Sequence, residues 1–301
     1  MTGSHSLVTR PAPPAVFCPL APRISPHSGS AEAAARDWAT ARGLATTGLA
    51  GLMARTYPHA SLADLTLATE WLITVFALDD HLESMLPQAV DAVTADVLSI
   101  LDGAPVAGPV AAALADVWAR TRGRLGPAWR ARFVEHVRQY LAGCRWEAAN
   151  RCTGRVPGVG EYRTMRRHTA ATSVFFDLIE VFHGCRLPAR ALRTPAFTLM
   201  RGHAADAVAW YNDLASWPKE LVRGDCHNLV LVLHERRRLS LDDAVTVATA
   251  HHDRAVRRFL AARAQLPAWL RGHPAVAAAS RDLGHWISGN VDWSRGTCRY
   301  A

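Results

Sequence analysis

The chain has 301 residues, half of them hydrophobic and one-fifth charged, with a formal net charge of +8. No apolar run reaches bilayer-spanning length, and the N-terminus lacks the basic-then-apolar pattern of a secretory leader, so a cytoplasmic enzyme or binding protein with no membrane span is expected. The positive charge is mostly Arg spread along the whole chain, with short clusters such as Arg236-Arg237-Arg238; this argues against nucleic acid and leaves a solvated basic surface or an anionic small substrate.

Residues 1–30 contain "RPAPPAVFCPLAPRISP", a Pro-rich stretch that resists helix and strand alike and reads as an arm. From 31 to 301 Ala, Leu, Arg and Glu dominate, and apolar residues recur at intervals of three and four. The periodicity predicts helices near 31–56, 61–86, 88–102, 108–124, 127–150, 159–184, 189–222, 225–238, 240–265 and 267–291. Their ends coincide with helix-stop chemistry such as "DGAP", "GRLGP" and "TGRVPGVG". No alternating strand run and no internal repeat stands out. The expectation is one all-α domain of about ten helices. Six cysteines, at 18, 144, 152, 185, 226 and 298, form no C-x-x-C pair and no zinc-finger spacing, so they are expected as reduced, mostly buried thiols.

In the second predicted helix the series Ala68, Leu72, Phe76, Asp80 steps by four, and "LDDHLE" adds Asp79 and Glu83 at spacings that share the same face. The apolar stripe thus runs into three carboxylates. On an inward face these repel one another and lose hydration, so they need a cation. Hard oxygen ligands on one helix face suit Mg²⁺. A solvated acidic helix end is the blander alternative for this motif taken alone. A second stripe through Ala204 and Val208 becomes polar at Asn212, Ser216 and Glu220, within "NDLASWPKE". An amide oxygen, a hydroxyl and a carboxylate one turn apart can serve one small divalent cation, and Lys219 adds positive charge for an anion.

These two motifs together resemble the aspartate-rich motif and the Asn-Ser-Glu triad of the bacterial class I terpene synthases. "YRTMRRHTAAT" resembles that family's diphosphate-sensing segment, and "GNVDWSRGTCRY" its C-terminal Arg-Tyr ending. The likeness runs over roughly 40–301, with four motifs in the right order. It implies a single-domain terpenoid synthase-like helical bundle around a central pocket and an enzyme that cyclises a linear isoprenyl diphosphate, farnesyl or geranylgeranyl diphosphate. By resemblance, Asp79, Asp80 and Glu83 would hold two Mg²⁺ and Asn212, Ser216 and Glu220 a third, making three ions. Arg166, which lies 46 before Asn212, would be the sensor, with Arg167 as its competitor. Lys219, Arg299 and Tyr300 would bind diphosphate with it. Ala170 would take the place where the family has a Gly whose carbonyl faces the reacting cation. Phe76, one turn before Asp80, would line the cation pocket; Phe175, Phe176, Trp286 and Trp293 are further candidates. Trp118, Trp129 and Trp269 are expected as packing.

Pro218 falls inside the triad helix, where a kink is expected. Asp242-Asp243 could be a second aspartate-rich motif, as in an isoprenyl diphosphate synthase, but no third carboxylate follows. Ser240 and Asp243 read instead as a helix start. A non-catalytic helical binding protein of the same fold is the remaining alternative. A homodimer is allowed by this reading, with no motif behind it.

Overall fold

The computed structural model describes residues 13–46, 48–105 and 107–297, and among these the regular structure is helix throughout. Residues 13–27 precede the first helix, α1 (Ser28–Thr40). It is followed by α2 (Ala50–Thr56), α3 (Leu62–Leu82), α4 (Pro87–Asp102), α5 (Pro109–Arg122), α6 (Pro127–Thr153) and α7 (Val159–Thr169). Then come α8 (Thr172–Phe182), α9 (Ala189–Leu192), α10 (Pro195–Arg223), α11 (Leu229–Arg237), α12 (Leu241–Ala264), α13 (Ala268–Arg271) and α14 (Pro274–Gly296).

The boundaries follow local chemistry. Ser61 caps α3 by accepting from the Asp64 amide, and Ser240 caps α12 by accepting from Asp243, each supplying an oxygen to a donor the helix leaves unpaired. Pro opens α4, α5, α6, α10 and α14, where its missing N–H costs nothing. Glycines at positive φ close α6 (Gly154) and α10 (Gly224).

Four of the expected helices are divided. The first is cut between Thr40 and Ala50, where Gly43 and Gly48 both take positive φ. The segment 159–184 breaks between Thr169 and Thr172. Short helices α9 and α13 precede α10 and α14, each main helix starting afresh at its own Pro. Through Pro218, by contrast, α10 continues as helix to Arg223.

Trp71, Trp118, Trp129 and Phe133 are buried and pack ring on ring, joining α3, α5 and α6. Each indole N–H finds an acceptor: Thr121 Oγ1 at 2.9 Å, the Leu101 carbonyl at 2.8 Å and the Asp177 carbonyl at 3.0 Å. Trp118 and Trp129 are therefore the packing residues expected, whereas Trp269 is 43% exposed with Arg190 stacked on it. Of the five described cysteines, all unpaired, Cys144 alone is buried and Cys152 is exposed, so the thiols are less buried than their residue type predicts.

Two glycines allow helices to meet closely. A Cβ on Gly289 of α14 would lie 2.8 Å from the Arg55 carbonyl of α2. One on Gly143 of α6 would lie 2.8 Å from Thr169 Cγ2 and 3.1 Å from its amide. These approaches set the walls of a cavity of about 240 Å³ lined from α2, α3, α6, α7, α8, α10 and α14.

Candidate active site

The last turn of α3 delivers Asp79 and Asp80 to the cavity, and Glu83 follows as its C-cap. Three carboxylates at a helix C-terminus oppose the helix dipole as well as one another. Asp79 Oδ1 accepts from the Tyr140 hydroxyl at 3.1 Å. Asp79 opens onto the cavity but is walled by protein, and this desolvation pushes its carboxyl above the usual range; Asp80 and Glu83 push the same way, while Tyr140 and Arg166 oppose. Glu83 pairs with Arg223 at 3.1 Å, so the ends of α3 and α10 are tied across the cavity.

From the opposite side α10 presents Asn212, Ser216 and Glu220, with Lys219 beside them, all lining the same cavity. Arg166 of α7 donates from Nη2 to Asn212 Oδ1 at 2.6 Å and also pairs with Asp213 at 2.9 Å. Burial opposes the Arg166 charge, yet Asp213, Glu147 and Glu220 around it hold its proton more firmly than usual. Arg167 points elsewhere, gripping Asp206 with two hydrogen bonds of 2.7 and 2.8 Å. Arg166 lines the cavity and Arg167 does not. Burial, helped by Asp213, pushes Glu220 up to about 7, against hydrogen bonds from Ser216 and Asn228.

Several polar residues of the site carry no motif in the sequence. Asp213 is fully buried; it accepts from Arg166 Nε at 3.0 Å, the Tyr162 hydroxyl at 2.8 Å and the Leu229 amide at 2.9 Å. Glu147 of α6 lines the cavity, and desolvation pushes it up to about 7. Asn228, also fully buried, donates to Glu220 Oε2 at 2.7 Å. Asp225, Cys226 and His227 offer ligand atoms within 4.8 Å of one another. Both His227 nitrogens are in use, however: Nδ1 meets Asp225 Oδ1 at 2.7 Å and Nε2 faces Asn150 Nδ2 at 3.1 Å. The Asn150 N–H fixes Nε2 as acceptor and Nδ1–H as donor, a hydrogen-bonded dyad and not a ligand cluster.

Below these polar groups the wall is apolar and aromatic: Leu72, Val75, Phe76, Phe175, Val208, Trp286 and Trp293. Phe76 and Phe175 take the places expected. Phe176 does not; it packs against Trp286 and lines a separate surface pocket with Arg132 and Arg201. At the break between α7 and α8, Ala170 has φ −70 and Ala171 φ +53, and both line the cavity. Positive φ is costly for any residue with a Cβ, and here it falls on Ala171, one residue after the position where the family carries its Gly. The bend leaves the Ala170 carbonyl with no backbone N–H donating to it among the described residues, so its lone pairs remain available. Asp242 and Asp243 open α12 as an ordinary capped helix start. Arg299 and Tyr300 lie outside the described residues.

Six oxygen-bearing side chains converge here with no sulfur or imidazole ligand among them, a set suited to a hard divalent cation. Two oxygen-rich helix ends facing each other over an apolar pocket in an all-α bundle define a class I terpene cyclase, a lyase. Residues 70–258 match the family model described as terpene synthase family 2, C-terminal metal binding, and the chain belongs to that family. Its cofactor is accordingly a metal. The chain is 35% identical to (+)-T-muurolol synthase, (2E,6E)-farnesyl diphosphate cyclizing, of Roseiflexus castenholzii over 94% of this chain and 92% of that one. It is 33% identical to (−)-delta-cadinene synthase of Streptomyces clavuligerus over 97% and 96%. The linalool/nerolidol synthase of Streptomyces clavuligerus, solved with 2-fluorogeranyl diphosphate, superposes with a TM-score of 0.85 at 30% identity, covering 94% of this chain and 99% of that one. Among the described residues no helix is long and apolar enough to cross a membrane.

Proposed function

We propose that this enzyme ionises and cyclises farnesyl diphosphate, with three Mg²⁺ held by Asp79, Asp80 and Glu83 on one side and Asn212, Ser216 and Glu220 on the other. The observation that carries this reading is the convergence of both oxygen-rich motifs and Arg166 on one mouth above an aromatic wall. A 15-carbon chain is favoured over 20 carbons because the cavity, about 240 Å³, is small, below the ~300–1,000 Å³ usual for ligand sites. The similarity to (+)-T-muurolol synthase, (2E,6E)-farnesyl diphosphate cyclizing, points the same way.

Bound Mg²⁺ supplies positive charge that draws electrons onto the diphosphate leaving group. Arg166 and Lys219, joined by Arg299 and Tyr300, donate to diphosphate oxygens and stabilise the negative charge that grows as the C–O bond breaks. The bond's electron pair leaves with diphosphate and an allylic cation stays behind. Phe76, Phe175 and Trp286 offer it ring faces, which attract cations without acting as nucleophiles. The Ala170 carbonyl presents an uncommitted dipole from the helix break. The apolar wall keeps water from the cation until the ring has closed, after which loss of a proton or capture of water ends the sequence.

Incubation with geranyl, farnesyl and geranylgeranyl diphosphates plus Mg²⁺, followed by analysis of extracted hydrocarbons and alcohols, tests the reading. A cyclic 15-carbon product that disappears with EDTA is expected. Chain elongation when isopentenyl diphosphate is added, or no diphosphate release from any substrate, overturns it. Elongation is disfavoured because Asp242 and Asp243 serve α12 and do not line the cavity.

A further inference from the structure

Asn228 lies behind Ser216 and Glu220, on the side away from the cavity, and is fully buried. Its Oδ1 accepts from the Val230 amide at 2.9 Å, making it the N-cap of α11. Its Nδ2 faces three acceptors on α10: the Asp213 carbonyl at 2.9 Å, Ser216 Oγ at 3.4 Å and Glu220 Oε2 at 2.7 Å. Positions 213, 216 and 220 follow spacings of three and four, so they share one face of α10. In return, Asp213 Oδ2 accepts from the Leu229 amide at 2.9 Å. The start of α11 and the triad stretch of α10 are thereby stapled in both directions.

The stapled stretch includes Pro218, whose missing N–H removes one backbone tie from this part of α10. Fixing Glu220, two residues beyond, therefore leans on side-chain contacts, of which Ser216 supplies one from within the helix and Asn228 one of 2.7 Å from outside it. An Asn cap needs only its oxygen for α11; the N–H bonds into α10 are additional and aimed at two of the three triad oxygens.

We propose that Asn228 is a positioning residue for the metal site, setting where Ser216 and Glu220 present their oxygens to the cation. The inference rests on the assignment of the triad as metal ligands. Partners behind a metal ligand commonly change metal affinity by about 10–100-fold when removed.

The test uses Asn228→Asp and Asn228→Ser in the full-length protein. Both retain an N-cap oxygen for α11, and neither can donate to the Asp213 carbonyl and Glu220 as the amide does. Mn²⁺ binding is followed by electron paramagnetic resonance with inorganic diphosphate present and no turnover. Circular dichroism in EDTA reports the fold, and Glu220→Gln is the reference. Weaker Mn²⁺ binding in at least Asn228→Ser, by about 10-fold or more, with an unchanged helical spectrum is expected. Turnover should then recover largely at high Mg²⁺, a shift in metal requirement and not in kcat. If Glu220→Gln loses Mn²⁺ affinity and both Asn228 variants keep it, the positioning role is wrong and the triad assignment stands. If Glu220→Gln also binds normally, the triad assignment itself falls. If Asn228→Ser does not fold in EDTA, Asn228 serves α11 alone and the proposal is overturned.

Discussion

Replacing Asp213 with Asn changes one atom and one charge at the centre of the site. The carboxylate accepts from Arg166 through Oδ1, and from the Tyr162 hydroxyl and the Leu229 amide through Oδ2. An amide presents one oxygen and one NH₂, so whichever way it turns a donor faces donors. With its oxygen toward Tyr162 and Leu229, the guanidinium of Arg166 loses its buried carboxylate and keeps only the neutral acceptors Asn212 and Thr169. With its oxygen toward Arg166, the hydroxyl and the amide lose theirs. Leaving a buried donor unpaired costs about 1–3 kcal/mol, and breaking a buried ion pair about 3–5 kcal/mol. The expected loss is therefore roughly 3–5 kcal/mol, a large share of the ~5–15 kcal/mol that holds a domain together. Urea denaturation in EDTA at neutral pH measures it as a lower midpoint at unchanged slope. Asp206→Asn is the internal control. It removes a carboxylate from the same helix, but Arg167, half exposed, can turn to water, and about 1 kcal/mol should go. Equal losses in the two variants, or less than 1 kcal/mol from Asp213→Asn, would refute the view that Asp213 holds Arg166 in place.

Three further expectations follow from the same geometry. Glu220 and Glu147 are each pushed up to about 7 by burial. The folded, metal-free protein therefore binds more protons than the unfolded chain between pH ~4.5 and 7 and loses stability as pH rises through that window. Burial lowers His168, His251, His252 and His285, which works in the opposite sense below about pH 6.5. The midpoint temperature in EDTA should accordingly fall between pH 6.5 and 7.5, and fall less in Glu220→Gln; a rise in the parent protein contradicts the burial argument. Phe76→Ala should shift products toward acyclic or early-quenched compounds more than it slows diphosphate release, and an unchanged product profile at unchanged rate would make Phe76 ordinary packing. Gly289→Ala puts a Cβ 2.8 Å from the Arg55 carbonyl, so overpacking of about 1–3 kcal/mol should outweigh the roughly 1 kcal/mol of helix propensity gained, and denaturation curves would show the net loss.

The oxygen-rich motifs were legible because their chemistry repeats with the helical period: Asp79, Asp80 and Glu83 continue one stripe, and Asn212, Ser216 and Glu220 another. Arg166 is indicated only by its spacing in a family pattern. Asp213 has no place in that pattern because it adjoins Asn212 and so points about 100° away around the helix, toward Tyr162 and α11. Nothing in a linear pattern announces that contact. Asn228 had a local signal, a polar cap before the apolar run "LVLVL", but its bonds back to α10 are tertiary. Glu147 and Tyr140 stand in a helix predicted correctly, yet which face of it met the cavity depended on neighbours. The break at Ala170–Ala171 leaves no mark in the periodicity, because neither Gly nor Pro stands there, and only the family resemblance points to Ala170; Ala171 carries a positive φ its residue type disfavours, and the surrounding helices impose it.

The crossing at Gly289 divides the molecule into parts that can and cannot vary. Leu52 on α2 and Trp286, Asn290 and Trp293 on α14 all face the cavity, and the distance between those two walls is set by the absence of a single methyl group. Side chains that line the space without holding the crossing, such as Phe76 or Val208, can be exchanged for others of different bulk without moving a helix. A randomised library confined to such positions, with Gly289 and Gly143 left untouched, samples new product outcomes while keeping the chassis, and selection on this enzyme has the same separation available to it.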